Sequence, residues 1–338
     1  MSTGRTRSAW GRKHGMRRLL GLALLGAGLL PGIALGQAAP PAGETLRIIA
    51  GFSPGGTSDI MARLMAEAMA PVLGQRVLVE NRTGANGFIA AEAVARGPVD
   101  GSVVFQCPMG TMTISPELPG LTLPVDPGQD LIPVANATLS RYGVAVGARS
   151  PYRSLQDVLA EGRKRPGALS YASAGGGSAQ HLSGERLSRM AGLQLLHVPY
   201  RGAAPAMLDV IAGRADLIIS NLGDMIRQVE GGELRLLAVG DSGELEGYPG
   251  LAKLPEVVPG LEVVGWFGFC GPRGMAPEAV ARWSGAVRTA LENPELRKKL
   301  LGNGLTPLFE DQAAFGARMA RDRRLWGETI RAAGIRAD

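Results

Sequence analysis

Metal-ligating and redox side chains are scarce, with two cysteines and three histidines among 338 residues. Cys107 and Cys270 form no CxxC, and no His/Cys cluster accompanies them, so spacing suggests no metal site and no cofactor. Nucleotide fingerprints are missing too. Neither G-x-x-x-x-G-K-[ST] nor a correctly spaced G-x-G-x-x-G occurs, and Gly176-Gly177-Ser178-Ala179-Gln180 is not a G-x-S-x-G nucleophile elbow. Aromatics are few, at 5%. The apolar run Leu19–Leu30 is short and broken by Pro31-Gly32, which disfavours a permanent membrane span.

The basic character is confined to one end. Six of the 36 basic residues (Arg5, Arg7, Arg12, Lys13, Arg17, Arg18) fall within residues 1–36, which hold no acidic residue, so 30 basic and 30 acidic residues remain. No nucleic-acid partner follows from such a balance. A basic stretch, an apolar run and small residues at Ala34-Leu35-Gly36 and Gly36-Gln37-Ala38 form the layout of a secretory signal, with cleavage near 36–38 and export to the periplasm. Arg17-Arg18 fits a twin-arginine leader and an ordinary secretory n-region equally. Export permits a disulfide. Both cysteines, however, end apolar strand-like runs, where free thiols act as small hydrophobes, and two free thiols are the expectation.

A chain of 338 residues exceeds what one core usually organises. Short apolar runs alternate with amphipathic segments, the mark of an α/β fold with mostly parallel sheets. Strands are expected at 46–52, 77–80, 103–107 and 132–139, then in a second series at 142–146, 169–172, 195–198, 216–220 and 234–239. Helices are expected at 59–73, 88–95, 155–165, 179–191, 204–212 and 224–230. Residues 242–260, rich in Gly, Pro and Glu, read as loop. One more strand, 263–270, is followed by helices only, at 277–292, 294–303 and 312–333. This return divides the chain into one lobe of 45–140 plus 265–338 and another of 141–264. Crossings near 139–142 and 262–266 would form a hinge. Two tandem domains are the alternative.

Three strand-to-helix loops carry the candidate chemistry. In Phe52-Ser53-Pro54-Gly55-Gly56-Thr57-Ser58-Asp59, glycines let the backbone approach a ligand, and a helix N-terminus favours an anion. Ser58 and Asp59 fit N-capping. Tyr171 to His181 repeats the logic with Gly175-Gly176-Gly177-Ser178. Here His181 either closes the cap, reaches a ligand or serves as a base. In the third loop, Tyr200-Arg201-Gly202, the phenol could line a pocket and the guanidinium could pair with a carboxylate, or both could be surface features. His197 reads as a satisfied histidine on an apolar strand. Each of the first two loops is compatible with anion binding or with a plain capped turn. A serine hydrolase using Ser178 and His181 stays open as an alternative, although no oriented carboxylate is identifiable.

Pro54-Gly55-Gly56-Thr57-Ser58-Asp59 with Ala62-Arg63 resembles the PGGxxDxxAR signature of the Bug family, the TctC-like receptors of tripartite tricarboxylate transporters. So do Val79-Glu80-Asn81-Arg82-Thr83-Gly84-Ala85-Asn86-Gly87, Tyr171–Ser178 with His181-Leu182, Val198–Gly202 with Pro205-Ala206 and Asp209, Trp266-Phe267-Gly268 and the 326–335 tail. The resemblance implies a two-lobed Venus flytrap fold of the periplasmic-binding-protein type II class. It implies a non-enzymatic, monomeric receptor that captures a small organic acid for membrane transporter subunits. Di- and tricarboxylates, acidic amino acids and aromatic acids are among the family's ligands. Backbone amides of Gly55, Gly56, Gly177 and Ser178 would grip a carboxylate, with Pro54, Asp59 and His181 in support. Thr111 would be a polar contact, and Phe52, Tyr200, Arg201 and Gly202 would form pocket wall. The segments 238–241 and 254–260 depart from the family pattern, which affects the far wall and the hinge. A sensing role in place of transport is compatible with the same sequence.

Overall fold

The longest strand, β4 (Leu131–Gly147), belongs to two sheets at once. Its first part, through Arg141, pairs with β10 (Val264–Pro272) and β11 (Leu305–Glu310), and its last part, from Tyr142, with β7 (Leu217–Asn221) and β8 (Leu234–Val239). The computed structural model describes residues 45–245 and 247–336. The export segment read at 1–36, with its cleavage near 36–38, lies outside the described residues.

Around the first part of β4 the strands run β2 (Val77–Asn81), β1 (Leu46–Ala50), β3 (Val103–Pro108), β10 and β4. Around the second part they run β4, β7, β5 (Ser170–Ser173) and β6 (Leu196–Pro199), with β8 also on β4 and β9 (Ala252–Lys253) beside β8. The pairs β1–β2, β1–β3, β5–β6, β5–β7 and β8–β9 are parallel. Every antiparallel pairing involves β4 or β10. The sheets are therefore more mixed than the alternation alone suggests, because the connecting and returning strands run against their neighbours.

The helices in chain order are α1 (Thr57–Leu73), α2 (Phe88–Ala95), α3 (Pro127–Asp130), α4 (Leu155–Lys164), α5 (Ala179–Met190), α6 (Ala203–Ile211), α7 (Leu222–Glu230), α8 (Leu254–Val257), α9 (Pro277–Glu292), α10 (Pro294–Leu301) and α11 (Gln312–Ala333). Local signals set their ends. Ser154 and Asp157 form a capping box at α4, Asn293 caps α10 and Asp311 caps α11, each satisfying otherwise unpaired N–H groups. Gly74, at φ 65°, closes α1 in the left-handed conformation that favours glycine. Met61, Met65 and Met69, spaced at i, i+4 on α1, are fully buried with Trp283 and Phe269 over the first sheet. Met207, Ile218, Met225 and Leu236 fill a core on the second.

Four expectations are corrected. The strands expected at 132–139 and 142–146 are one, since the polar pair Ser140-Arg141 marks a passage between sheets and not a break. Ser140 Oγ donates to Asn221 Oδ1 at 2.6 Å and Arg141 pairs with Asp241 at 2.7 Å. The segment 242–260 is not all loop but holds β9 and α8. The tail is not wholly helical, because β11 adds an edge strand to β4 despite Pro307. Finally, Cys107 and Cys270 are not free. They form a disulfide, with Cα atoms 5.9 Å apart, within the range such a bridge requires. The cause is register: β10 lies antiparallel to β3, Cys107 faces Gly268 and Cys270 faces Phe105, so the two thiols meet on a diagonal.

Candidate functional site

The loops after β1, β5 and β6 leave the carboxyl ends of parallel strands, the position at which open α/β sheets hold ligands. They converge on a cavity of about 600 Å³ lined by residues of both sheets. Its walls include Phe52, Pro54, Gly56, Asn86, Gln180, Tyr200, Arg201, Gly202 and Trp266. Volume and apolar lining suit a small molecule.

Six of the twelve candidate residues, Phe52, Pro54, Gly56, Tyr200, Arg201 and Gly202, lie on that lining. The other six lie off the lining, with Asp59, Thr111, Gly177, Ser178 and His181 buried and Gly55 exposed. Gly55 N donates to Asp59 Oδ2 at 3.0 Å. Asp59 is buried inside α1, not at its N-cap, which is Gly56. Ser58, likewise inside the first turn, donates from Oγ to buried Gln106. Both capping expectations are thus corrected, because the chain enters its helix two residues earlier. Asp59 also accepts from Asn81 Nδ2 at 2.9 Å and pairs with Arg63 at 2.9 Å. Burial pushes its carboxyl up, but Arg63, the Gly55 N–H and Asn81 together outweigh this and hold it below the usual carboxylate range.

In the second loop Ser178 caps α5, its Oγ accepting from His181 N at 3.2 Å. His181 Nδ1 accepts from Gly177 N at 3.1 Å. His181 stacks on His197, ring centroids 3.9 Å apart, and His197 Nε2 meets Ser173 Oγ at 2.6 Å. Of the alternatives for His181, the structure displays cap closure. The amides of Gly55 and Gly177 are both engaged within their own loops.

The third loop is braced from below. Tyr200 donates to Asp209 Oδ2 at 2.7 Å. Burial, then the Asp209 carboxylate, pushes its phenol up to about 12. Gly202, at φ 120°, precedes α6 with no side-chain cap, while Arg201 is exposed at the rim.

Several lining residues were not singled out from sequence. Asn86 adopts φ 50° and donates to Ser115 Oγ at 2.6 Å and to Gly177 O at 3.1 Å, tying the first lobe to the second loop. Thr111 supports it, donating to Asn86 O at 2.8 Å. The Asn-Gly pair was the available signal, since Asn tolerates left-handed backbone. Asp224 accepts from Thr57 N at 2.9 Å and Thr57 Oγ1 at 2.8 Å across the lobes, and from Ser220 Oγ at 2.6 Å. In sequence it is one more first-turn acid. Burial, then the Asp224 charge, pushes the neighbouring Tyr142 phenol well above its ordinary value, against a hydrogen bond from Asn221. No group of acidic, cysteine or histidine side chains that could hold a metal occurs among the described residues.

Two lobes joined by the shared strand β4, with a ligand-sized cleft between glycine-rich loops, define a two-lobed binding-protein fold. Residues 61–335 match the family model described as "TctC: Tripartite tricarboxylate transporter family receptor", and the chain belongs to that family of solute-binding receptors. It is 33% identical over 259 residues to the UPF0065 protein in the tcbD-tcbE intergenic region of Pseudomonas sp. strain P51, covering 75% of this chain and 76% of that one. Among solved structures it resembles R. palustris Rpa4515 with adipate, with 31% identity, a TM-score of 0.83 and coverage of 86% and 98%. It also resembles MatC of Rhodopseudomonas palustris with bound malate, with 25% identity, a TM-score of 0.78 and coverage of 85% and 98%.

Proposed function

We propose that the protein is a periplasmic receptor that captures a small organic acid and delivers it to the membrane subunits of a tripartite tricarboxylate-type transporter. The cavity of about 600 Å³ between three glycine-bearing loops, with Arg201 at its rim, carries this reading. Its size suits a molecule bearing one or a few carboxyl groups. Family ligand classes, namely di- and tricarboxylates, acidic amino acids and aromatic acids, are the candidates, and the adipate and malate of two relatives fall among them. In this reading Phe52, Pro54, Gly56, Tyr200, Arg201 and Gly202 touch the ligand. Gly55, Asp59, Thr111, Gly177, Ser178 and His181 keep the loops in shape.

The lobes 45–140 plus 265–338 and 141–264 close about the β4 and β10 crossings, the protein acts as a monomer, and the N-terminal segment 1–36 directs export and is removed. A serine hydrolase is disfavoured, because Ser178 and His181 cap α5 and lie off the cavity wall. A sensing role would use the same cleft.

The test is a panel of organic acids, aromatic acids included, on protein refolded free of ligand. An acid bound at 1 μM and supplied at 100 μM raises stability by about 2.7 kcal/mol, readable as a thermal shift. If no acid binds at millimolar concentration, the receptor reading fails.

A further inference from the structure

Two charged side chains line the cavity, Arg201 and Asp224. Arg201 is exposed at the rim, on the loop that enters α6. Asp224 is half-buried and stands where the first turns of α1 and α7 meet. A Cβ on Gly223 would lie 2.7 Å from Thr57 Oγ1, so the two turns are in close contact there.

A helix N-terminus attracts an anion through unpaired N–H groups and a partial positive charge. At α1 part of that capacity is taken by the protein's own carboxylates. Asp224 Oδ1 accepts from Thr57 N and Oγ1, and Asp59 Oδ2 accepts from Gly55 N. Asp224 also sits in the first turn of α7 and takes Ser220 Oγ on its second oxygen. A ligand carboxylate beside Thr57 would meet a like charge in a partly desolvated cleft and would find the Thr57 N–H and hydroxyl engaged. Arg201, the one positive group on the lining, stands on the Tyr200–Gly202 loop, apart from these turns in sequence and fold. The cavity wall thus offers one positive group and one negative group, which matches a ligand with a single carboxylate.

We infer that Asp224 is a specificity-determining residue that excludes a second carboxylate from the α1–α7 end, so that the ligand is a monocarboxylate whose far end is a hydroxyl or ammonium donor. The inference rests on the receptor reading and narrows its substrate class. A donor at the far end can share the Asp224 oxygens or the Tyr142 hydroxyl nearby. A second carboxylate seated at Thr57 would have to displace Asp224.

The experiment compares acids of matched length by calorimetry: 4-hydroxybutyrate and 4-aminobutyrate against succinate, and 6-hydroxyhexanoate and 6-aminohexanoate against adipate. Wild-type protein binds the donor-bearing monoacid of at least one set at least tenfold more tightly than its diacid. In Asp224→Asn, and in Asp224→Ser as a smaller replacement, that ratio falls by at least tenfold, with the diacid gaining affinity. A wild-type protein that binds a diacid as tightly as the matched hydroxy and amino acids overturns the inference, whatever the variants do. So does a preference that both variants leave unchanged. If none of these acids binds and the broad acid panel is also negative, the receptor reading itself falls and takes this inference with it. If other acids bind and these six do not, the receptor reading stands and this one fails.

Discussion

Gly51 and Gly87 meet backbone to backbone under the first loop, and a Cβ on Gly51 would lie 2.7 Å from Gly87 Cα. Gly87 is confined on its other side as well. A Cβ there would stand 2.7 Å from Thr111 Oγ1 and 3.3 Å from the Phe52 ring, on backbone at φ 87°. Gly87→Ala therefore adds left-handed strain to a steric clash and is expected to cost about 2–4 kcal/mol. Denaturant melts measure this. Because the displaced groups are Phe52 and Thr111, the affinity for any bound acid should fall with the stability. Unchanged affinity would detach this corner from the site.

The Cys107–Cys270 bridge joins residues 163 apart in sequence, and both residues are fully buried. Replacing both by alanine should lower stability by about 2–5 kcal/mol, the range for removal of a bridge that closes a long loop. Reductant should act on the native protein only as fast as the protein opens. Thiol labelling with and without denaturant checks this, and rapid labelling of folded, reductant-treated protein would contradict it.

Ser178→Ala removes the acceptor that caps α5. The expected loss is about 0.5–2 kcal/mol, with ligand affinity reduced by no more than the loosened loop requires. Hydrolytic turnover of an ester by wild-type protein, abolished in this variant, would instead revive a nucleophilic role.

The depressed Asp59 carboxyl makes a signed prediction. Its folded value lies below its unfolded one, so its contribution to stability is fully present above the ordinary carboxyl range. That contribution is lost as pH falls through the depressed folded value. Asp59→Asn should destabilise by about 1–3 kcal/mol at neutral pH and by progressively less in acid. Stability curves for the two proteins should therefore converge as pH falls. Parallel curves would mean that the charge at Asp59 contributes nothing.

Arg201 is the cation on the cavity wall. Arg201→Gln should weaken binding of an organic acid about tenfold or more, the scale of one charge-assisted hydrogen bond, without shifting the ligand-free melting temperature. A loss confined to stability would return Arg201 to a surface role.

Much of this fold was legible because local rules and tertiary placement agree. Helices α2, α9 and α11 end where capping groups, prolines and periodicity put them. Where they disagree, the sequence misled. Leu305–Glu310 contains a proline and follows a helix, and only an open edge on β4 makes it a strand. Ser140-Arg141 looks like a gap, yet its polar groups are satisfied by Asn221 and Asp241 from other elements. The glycine loops were visible in the sequence, but which of their amides stay open to a ligand depended on His181 and Asp59 folding back on them. Asp224 could not be found by pattern, because its meaning comes from Thr57, which reaches it across the lobes.

The place of β10 bears on how the molecule comes into being. Val264–Pro272 lies between β3 and β4, strands that follow each other in the chain without pairing directly. A growing polypeptide can finish both and still hold an open gap between them until this late segment arrives. Cys107 likewise waits for Cys270, which sits on the same segment. Every strand of the second sheet precedes Val264 in the chain, while the first sheet is completed from both ends of the chain. The cleft is therefore complete only once this late segment has joined the first sheet, and a chain cut short before Val264 would lack both the strand between β3 and β4 and the Trp266-Phe267 part of the cavity wall.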